Sequence, residues 1–223
     1  MADSVSGDDV TSGDVATAMT GDETGAPSVE ETSDGRTMRR RRNRDAVIAA
    51  LIDLIIEGDL NPTVAAIADR AEVSHRSIFR YFDDLDDLAV TAIQTAFRNF
   101  APSLAMEDPG EGTLDERIDR FVVNQLATVQ RTRSLGRVAR ARSLTIPEID
   151  RALSLVCDFR RDQVRSHFAP EFDQMTDDVA EATACSIVVL MGFDGYDMTR
   201  RHLGHSDDEV TAIWTTTLRS LLS

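Results

Sequence analysis

From Asn43 to the end of the chain, apolar residues recur at three- and four-residue spacing, and no stretch alternates polar and apolar residues. Alternation is the pattern of a half-buried β-strand, whereas the observed spacing is that of amphipathic helices. Capping boxes of the form Ser/Thr-x-x-Glu, which mark helix starts, occur at Thr113, Thr145 and Ser206. The pattern predicts an all-α fold.

Composition excludes several classes of protein. The chain has 223 residues, of which 42% are hydrophobic, and this is enough for one sizeable core. No apolar run approaches the about 20 residues of a membrane span, and the N-terminus lacks the order of a signal peptide. Cys157 and Cys185 are too few for a disulfide framework or a thiolate metal site. We therefore expect a reduced cytoplasmic protein without a membrane segment.

The net charge of −15 is unevenly distributed along the chain. Residues 1–35 carry nine acidic residues and no arginine, whereas residues 36–90 carry nine arginines and ten acidic residues. The first 37 residues are also rich in Ser, Thr, Gly and Asp, so residues 1–37 are predicted to be a disordered acidic tail. The nearly neutral middle segment is compatible with a local basic surface in an acidic protein.

Two short helices follow the first apolar helix. Gly58 is suited to the left-handed stop of that first helix, and Thr63 is the N-cap of the second. A turn at Glu72 separates the second helix from a third, which Ser74 caps. Two short helices joined by such a turn form a helix-turn-helix, so residues 38–84 are predicted to be a three-helix DNA-binding domain.

The third helix carries the expected base contacts. In a helix-turn-helix the N-terminal residues of the second helix of the motif meet base edges in the major groove, and an arginine there forks to guanine. Side chains further along that helix are expected to reach phosphates, as are the backbone N–H groups at the start of the preceding helix. The predicted contacts in these two helices are Thr63, Ser74, His75, Arg76, Ser77, Phe79, Arg80 and Tyr81.

An arginine cluster, MRRRRNR, immediately precedes the first helix. Its side chains are predicted to form an arm along the minor groove or the DNA backbone, which gives binding a steep dependence on salt. The alternative is a solubilising tail. The arginines assigned to this arm are Arg39, Arg40, Arg41, Arg42 and Arg44.

Residues 43–90, NRDAVIAALIDLIIEGDLNPTVAAIADRAEVSHRSIFRYFDDLDDLAV, resemble the DNA-binding domain of the TetR family of bacterial transcription regulators. The resemblance rests on an alanine-rich first helix, Glu-Gly, Pro-Thr, Ile-Ala, Val-Ser, an aromatic-x-x-Phe and an acidic-Leu ending, in that order. It covers about a fifth of the chain. It implies a homodimer that binds an inverted-repeat operator on double-stranded DNA, represses transcription, and releases the operator when an unidentified small-molecule effector binds.

Three positions depart from the family pattern. Phe79 stands where the family usually has tyrosine, and this removes a phosphate-directed hydroxyl for which Tyr81 is the candidate substitute. Leu85 stands for a usual lysine, and Glu72 for a usual glycine. These departures, with the net acidity, motivate an alternative function: a helical ligand-binding or protein-interaction module with a degenerate DNA-binding head.

Residues 85–223 are predicted to be the helical ligand-binding and dimerisation domain that the resemblance implies. In the family the last two helices of each subunit form the dimer interface. Residues 179–193 are apolar nearly all round, and the last helix carries a regular apolar stripe. Intrachain packing is the alternative reading of that stripe. The residues assigned to the interface are Val188, Met191, Val210, Trp214 and Leu218.

A ligand cavity is expected in the same domain, lined by mostly apolar side chains with a few polar groups. The same residues also read as ordinary core. Arg137, Arg140 and His167 are further polar candidates. The residues assigned to the cavity are Phe121, Asn124, Val138, Phe159, Met191 and Tyr196.

Catalytic patterns are absent from the sequence. It contains no Gly-rich phosphate loop, no GxSxG elbow and no HExxH. His202 and His205 have a spacing compatible with a metal, but Gly204 between them breaks the helix, so we interpret them as surface residues. We expect no enzymatic activity, no cofactor and no metal site.

Overall fold

The computed structural model describes residues 29–104, 106 and 108–223. Within these residues the chain is helical and has no β-strand, which confirms the all-α prediction. A π-helical turn, Met198–His202, lies between the last two α-helices. The α-helices described are α1 Val29–Glu57, α2 Val64–Arg70, α3 His75–Tyr81, α4 Leu85–Leu104, α5 Leu114–Ser143, α6 Pro147–His167, α7 Ala169–Phe172, α8 Asp177–Met191, α9 Phe193–Asp197 and α10 Asp207–Leu222.

Helix α1 begins earlier than predicted. It starts at Val29, so residues 29–37 of the predicted disordered tail are helical. The last proline before it is Pro27, and no proline interrupts the sequence from Val29 to Glu57, so the backbone hydrogen bonds of the helix continue without a break. The rest of the predicted tail, residues 1–28, lies outside the described residues.

Most of the predicted helix ends form as expected. Gly58 has a φ of 109°, and its N–H bonds the Ile55 carbonyl at 3.0 Å, which closes α1. Reciprocal capping boxes form between Thr113 and Glu116 and between Ser206 and Glu209. Each box satisfies two backbone donors that a helix start leaves free.

The capping box predicted at Thr145 does not form. Pro147 is the first residue of α6, and Ile146 is its N-cap without a side-chain hydrogen bond. The fixed φ of proline sets the helix start at this position. The Thr145 hydroxyl instead donates to the Arg142 carbonyl at 3.4 Å, so it stabilises the end of α5 rather than the start of α6.

The first of two apolar clusters joins the helix-turn-helix to the C-terminal part of the chain. It contains Ile67, Ile78 and Phe82 from α2, α3 and the residue after α3, together with Leu88 from α4 and Val138 from α5. The predicted domain boundary at residue 84 therefore falls within a continuous core. We call this core the head cluster.

The second cluster holds α5, α6, α7, α8 and α10 together and is called here the body cluster. Its largest buried side chains include Trp214 and Phe168, which are 2% and 0% exposed. Helix α5 supplies Ile118 and Val129 to this cluster and Val138 to the head cluster. One long helix thus takes part in both cores.

The chain bends at the end of α8. A Cβ on Gly192 would lie 2.6 Å from the Val188 carbonyl oxygen, so glycine alone fits at the bend. The α9 turn that follows is tied to α5 by the ion pair of Arg137 with Asp197, at 2.6 Å. In the described part of the chain no single helix is long and apolar enough to cross a membrane. Helix α8 and residues 193–202, which are bent by 46° relative to each other, reach the length and composition of a membrane span only when they are taken together.

A buried polar group lies at the end of the body cluster. Arg117 and Glu171 form an ion pair that is almost fully buried. His167, which is 0% exposed, has its Nε2 2.8 Å from the Arg117 carbonyl oxygen. Its Nδ1 is buried without a partner. Because a carbonyl accepts, the ring nitrogen Nε2 carries a proton in this contact.

Burial lowers the pKa of His167 below its ordinary value. The hydrogen bond to the Arg117 carbonyl and the charge of Glu171 raise this pKa, and the Arg120 and Arg117 cations lower it, so the net shift is downward. As the pH falls below about 6.5, the unfolded chain takes up a proton at this residue before the folded chain does. The contribution of neutral His167 to stability is therefore complete above that pH and is lost as the pH falls toward the lowered folded-state pKa.

We expect the urea midpoint to fall more steeply between pH 7.5 and 5.5 in the wild type than in His167→Gln, because glutamine keeps an N–H donor but does not titrate. Denaturation monitored by circular dichroism across this range measures the two slopes. His202→Gln, which removes an exposed histidine, is the matched control and should keep the wild-type slope. Equal slopes in the wild type and His167→Gln would contradict the prediction.

Candidate functional site

Helix α3 presents a polar face to solvent. The Ser74 hydroxyl accepts from the Ser77 N–H at 3.2 Å and caps the helix as predicted. His75 and Arg76 are exposed, and neither has a hydrogen-bond or ion-pair partner among the described residues. Ile78 is fully buried on the opposite face. The N-terminal turn of α3 therefore holds two unengaged polar side chains on a fixed helix.

The second turn of α3 differs from the prediction at Tyr81. Phe79 is 54% exposed, as expected, but the Tyr81 side chain is only 9% exposed and belongs to the head cluster. Arg80 donates to the Tyr81 hydroxyl at 2.8 Å and lies over its ring. Tyr81 turns inward because it lies three residues after Ile78 and so shares its buried face. Its hydroxyl positions Arg80 rather than pointing freely into solvent.

The arginine cluster is part of α1 and is not an extended arm. Arg39, Arg40, Arg41 and Arg42 are exposed helical residues. Arg44 differs from them, because its guanidinium lies 4.8 Å from the centre of the Phe82 ring, and this cation–π contact ties it to the head cluster. A proline-free sequence between the cluster and the apolar part of α1 explains why the helix extends over it.

Helix α2 is fixed at both ends. The Thr63 hydroxyl accepts from the Ala66 N–H at 3.2 Å, as predicted for an N-cap. Arg70, in the last turn, makes two hydrogen bonds to the Glu57 carboxylate, at 2.8 and 2.9 Å. The exposed Thr63 hydroxyl is therefore engaged in the cap, and the backbone N–H groups of this turn remain the predicted phosphate donors.

The acidic stretch after α3 is used for local structure. The Asp84 carboxylate accepts from the Asp87 N–H at 2.8 Å, and the Asp87 carboxylate accepts from the Asp83 N–H at 3.1 Å. Asp86 forms an ion pair with Arg142 of α5 at 3.0 Å. These carboxylates cap α4 and join it to α5.

A cavity of about 250 Å³ lies where the head and body clusters meet. Its wall includes Leu135 of the head cluster and Val129 of the body cluster. Gly136 on α5 lets the Phe193 ring pack against the helix, since a Cβ there would lie 2.6 Å from a ring carbon. Other apolar side chains in the wall are Phe97, Phe100, Leu153, Val156 and Val188.

The six residues assigned to the ligand cavity lie outside its wall. Phe121 packs against the His167 and Phe168 rings, and Met191 is 1% exposed in the body cluster. The Tyr196 hydroxyl donates to Asp207 at 3.0 Å. These side chains complete the core, because α5 and α8 pack on other helices along these faces. Three positions remain. Asn124 is half-buried on α5 and Val138 belongs to the head cluster. Phe159 lies in a groove between α4 and α6 that opens to solvent.

Of the polar candidates for the cavity, Arg140 lines it and Arg137 does not. Arg137 is paired with Asp197, and Arg140, which does line the cavity, is paired with Asp194. Arg160 of α6 is a charged cavity residue that the prediction missed. Arg160 lies on the same face of α6 as Leu153, Val156 and Val164. A charged residue at an apolar position of an amphipathic helix is the sequence feature from which it could have been predicted.

Four of the five residues assigned to the dimer interface are buried within the chain itself. They lie in the body cluster, because α10 turns its apolar stripe toward α5 and α8 of the same subunit. The fifth, Val188, lines the cavity. The four buried residues are Met191, Val210, Trp214 and Leu218.

The outer faces of α8 and α10 carry a different set of apolar side chains. On α8, Val179 and Leu190 are 52% and 47% exposed, and on α10 Ile213 is 38% exposed. The two helices contact each other in the subunit. These three exposed side chains are not part of the body cluster.

Residues 47–91 match the family model described as "Bacterial regulatory proteins, tetR family". The match covers α2, α3, the turn between them and the adjoining parts of α1 and α4. The helix-turn-helix part of the chain is therefore similar to that of TetR-family regulatory proteins.

A curated relative is similar to part of the chain. TcmR of Streptomyces glaucescens, an HTH-type transcriptional regulator, is 33% identical over 103 residues. Those residues are 44% of this chain and 46% of TcmR, so the match spans about half of that relative's length.

Solved structures share the fold over the C-terminal helices as well. A transcriptional regulator from Rhodococcus sp. Rha1 superimposes with a TM-score of 0.64 at 16% identity, over 80% of this chain and 95% of its own. The multidrug binding protein EbrR, in complex with imidazole, superimposes with a TM-score of 0.60 at 19% identity, over 82% and 93%. The chain therefore shares the fold of these structures over both the helix-turn-helix and the larger helical part.

The turn of the helix-turn-helix contains a strained residue where TetR-family proteins usually have glycine. Glu72 has a φ of 54°. Its N–H bonds the Asp69 carbonyl at 3.3 Å, and the Val73 N–H bonds the Ala68 carbonyl at 3.0 Å. This pair of bonds is the Schellman motif, which places a left-handed residue at this position. A side chain with a Cβ is disfavoured there.

Glu72→Gly is expected to raise the free energy of unfolding by a few tenths to about 1 kcal/mol, since glycine relieves the left-handed strain but loses more entropy on folding. Urea denaturation measures the difference. Glu72→Ala is the matched control, because it removes the carboxylate and keeps the Cβ, and it should gain little. An equal gain in both variants would assign the effect to charge and not to the backbone.

Proposed function

We propose that the protein is a DNA-binding transcriptional regulator, acting as a repressor, that binds an inverted-repeat operator as a homodimer and responds to a small-molecule effector. One observation carries the proposal: His75 and Arg76 are exposed at the capped start of α3 and have no partner among the described residues, in a helix-turn-helix that matches the TetR family model. These are the positions from which such a helix contacts base edges.

The exposed apolar face of α8 and α10 supports dimerisation. Val179, Leu190 and Ile213 lie on this face, and burying such side chains between subunits removes apolar surface from water. Two heads related by a two-fold axis require half-sites about one helical turn, or a multiple of it, apart. The dimer therefore supplies the palindromic symmetry of the proposed operator.

The position of the cavity supports control by an effector. Phe97 and Phe100 in the second half of α4 line it, while Leu88 in the first half of α4 belongs to the head cluster. A ligand that changes how α4 packs therefore changes the position of α3. It shifts operator binding only if its affinity differs between the two arrangements of the head.

Ligand binding by a structural relative is consistent with this use of the cavity. EbrR is described as a multidrug binding protein, and its structure contains imidazole. The cavity here is enclosed by aromatic and aliphatic side chains, which suits a ligand with a substantial apolar body.

The test of the DNA-binding function is selection of random duplex DNA by the purified full-length protein at moderate salt, followed by sequencing. A palindrome with half-sites about one turn apart is the expected result. Recovery of nonspecific DNA alone, from a protein that is folded and dimeric, would contradict operator binding and favour the module with a degenerate head.

Two sets of substitutions separate base contacts from phosphate contacts. Arg76→Ala should relax selection at one base pair in each half-site and cost about 1–3 kcal/mol on the selected operator. Arg40→Ala with Arg41→Ala should weaken binding to all sequences alike and reduce the slope of affinity against salt by about one for each lost phosphate contact. Titrations by fluorescence anisotropy at several salt concentrations measure both effects. Identical, sequence-independent effects would refute the separate roles.

The dimer face is tested with a charge on each of two exposed leucines. Leu190→Glu should give a monomer in sedimentation equilibrium, because a buried unpaired carboxylate opposes association. Leu155→Glu is the matched control, since Leu155 on α6 is more exposed, at 70%, and lies off the proposed face. A dimer in both variants would show that the interface lies elsewhere.

A further inference from the structure

Arg160 interrupts the apolar face that α6 turns toward the cavity. Counting along the helix, Leu153, Val156, Arg160 and Val164 follow one another at spacings of three and four, so they share a face. Leu153, Val156 and Arg160 all line the cavity, and Val164 is 2% exposed in the body cluster. A residue at the third of these positions would ordinarily be aliphatic.

The guanidinium of Arg160 has no counter-charge. Within the described residues it forms no hydrogen bond and no ion pair, whereas its neighbour Arg161 pairs with Asp158 at 3.0 Å. Part of the Arg160 side chain remains accessible, but desolvation by the surrounding protein lowers its pKa. An arginine held in this way is costly unless a partner arrives.

The charges around the cavity leave room for one anion of one charge. Three charged residues line it, and Arg140 is paired with Asp194, so Arg160 alone is uncompensated. A phosphomonoester carries about −1.5 to −2 charges at neutral pH and would bury an excess negative charge. A carboxylate carries one charge and matches the planar fork of a guanidinium.

We propose that the cavity binds a small monocarboxylate with an aromatic or aliphatic body, and that Arg160 pairs with its carboxylate. This inference rests on the proposed effector-responsive function and names the class of effector. The apolar wall receives the body of the ligand. The buried Thr128 hydroxyl has no hydrogen-bond partner within the described part of the chain. It lines the same cavity and is a second polar group available to the carboxylate.

A groove beside the cavity provides a route for such a ligand. It lies between α4 and α6, has a volume of about 550 Å³, and shares Phe97 and Val156 with the cavity wall. Leu155 and Phe159 line the groove and are 70% and 44% exposed. Its apolar surface extends from solvent to the two shared side chains.

The experiment uses three probes of similar shape: 2-naphthoate, the neutral 2-naphthamide and 2-naphthyl phosphate. Isothermal titration of the full-length protein at pH 7.5 measures each affinity. We expect wild-type protein to bind naphthoate at least about tenfold more tightly than naphthamide, as is typical of a hydrogen-bonded charge pair. It should also prefer naphthoate to naphthyl phosphate.

Variants of two adjacent arginines locate the preference. Arg160→Met keeps an apolar side chain of similar length and should abolish the preference for naphthoate over naphthamide. Arg160→Lys keeps the charge without the fork and should retain part of that preference. Arg161→Met removes the same charge from the neighbouring residue, which does not line the cavity, and should bind the three probes as the wild type does.

Each contrary result overturns the assignment. Equal wild-type affinities for naphthoate and naphthamide, tighter binding of naphthyl phosphate, no binding of any probe, or a full preference in Arg160→Met would each do so. Binding of the selected operator by the same wild-type sample without probe reports the DNA-binding function independently. Operator binding without a carboxylate preference would therefore reject the ligand class and leave the proposed regulator intact.

Discussion

The packing of α5 against two separate cores is the constraint on which the rest of the structure depends. This 30-residue helix places Ile118 and Val129 in the body cluster and Val138 in the head cluster. Each fully buried aliphatic side chain stabilises the fold by about 1.5–3 kcal/mol, so α5 cannot shift in one core without disturbing the other. The cavity lies at the change of core, where Val129 and Leu135 both form its wall. A ligand bound there would therefore contact both the head cluster, which includes α3, and the body cluster, which includes α8.

The distribution of paired and unpaired arginines separates structural charges from functional ones. The chain contains no lysine, and most of the arginines inside the C-terminal part have carboxylate partners, such as Glu171 for Arg117 and Asp197 for Arg137. Arg76 at the start of α3 and Arg160 in the cavity have none among the described residues. Because an unpaired guanidinium keeps its full capacity for an anion, the proposed contacts with DNA and with a carboxylate rest on these two arginines. The overall acidity of the chain does not oppose this, since the carboxylates after α3 are engaged in capping α4 and in the pair of Asp86 with Arg142.

Departures from the TetR-family pattern are accommodated locally rather than by a change of fold. Glu72 takes the left-handed conformation that the turn requires, at an energetic cost that glycine would not incur. Tyr81 does not replace the hydroxyl missing at Phe79 on the exposed face, because its ring is buried and its hydroxyl accepts from Arg80. This contact holds the Arg80 side chain in place, so Tyr81 positions Arg80 and Arg80 supplies the charge.

The sequence by itself determined the helical class, the helix-turn-helix with its caps at Thr63 and Ser74, and the exposed start of α3, because these features depend on spacing and on contacts within a few residues. Tertiary structure alone decided which apolar residues are core and which are surface. The stripe of α10 is equally suited to a partner subunit or to α5 of its own chain, and it packs on the latter. The cavity was likewise beyond prediction from periodicity, since its wall combines Phe97, Val129 and Val156 from three helices. Whether an arginine is paired depends on where a distant carboxylate lies. Only the fold placed Asp194 beside Arg140 and left Arg160 without a partner among the residues that the structure describes.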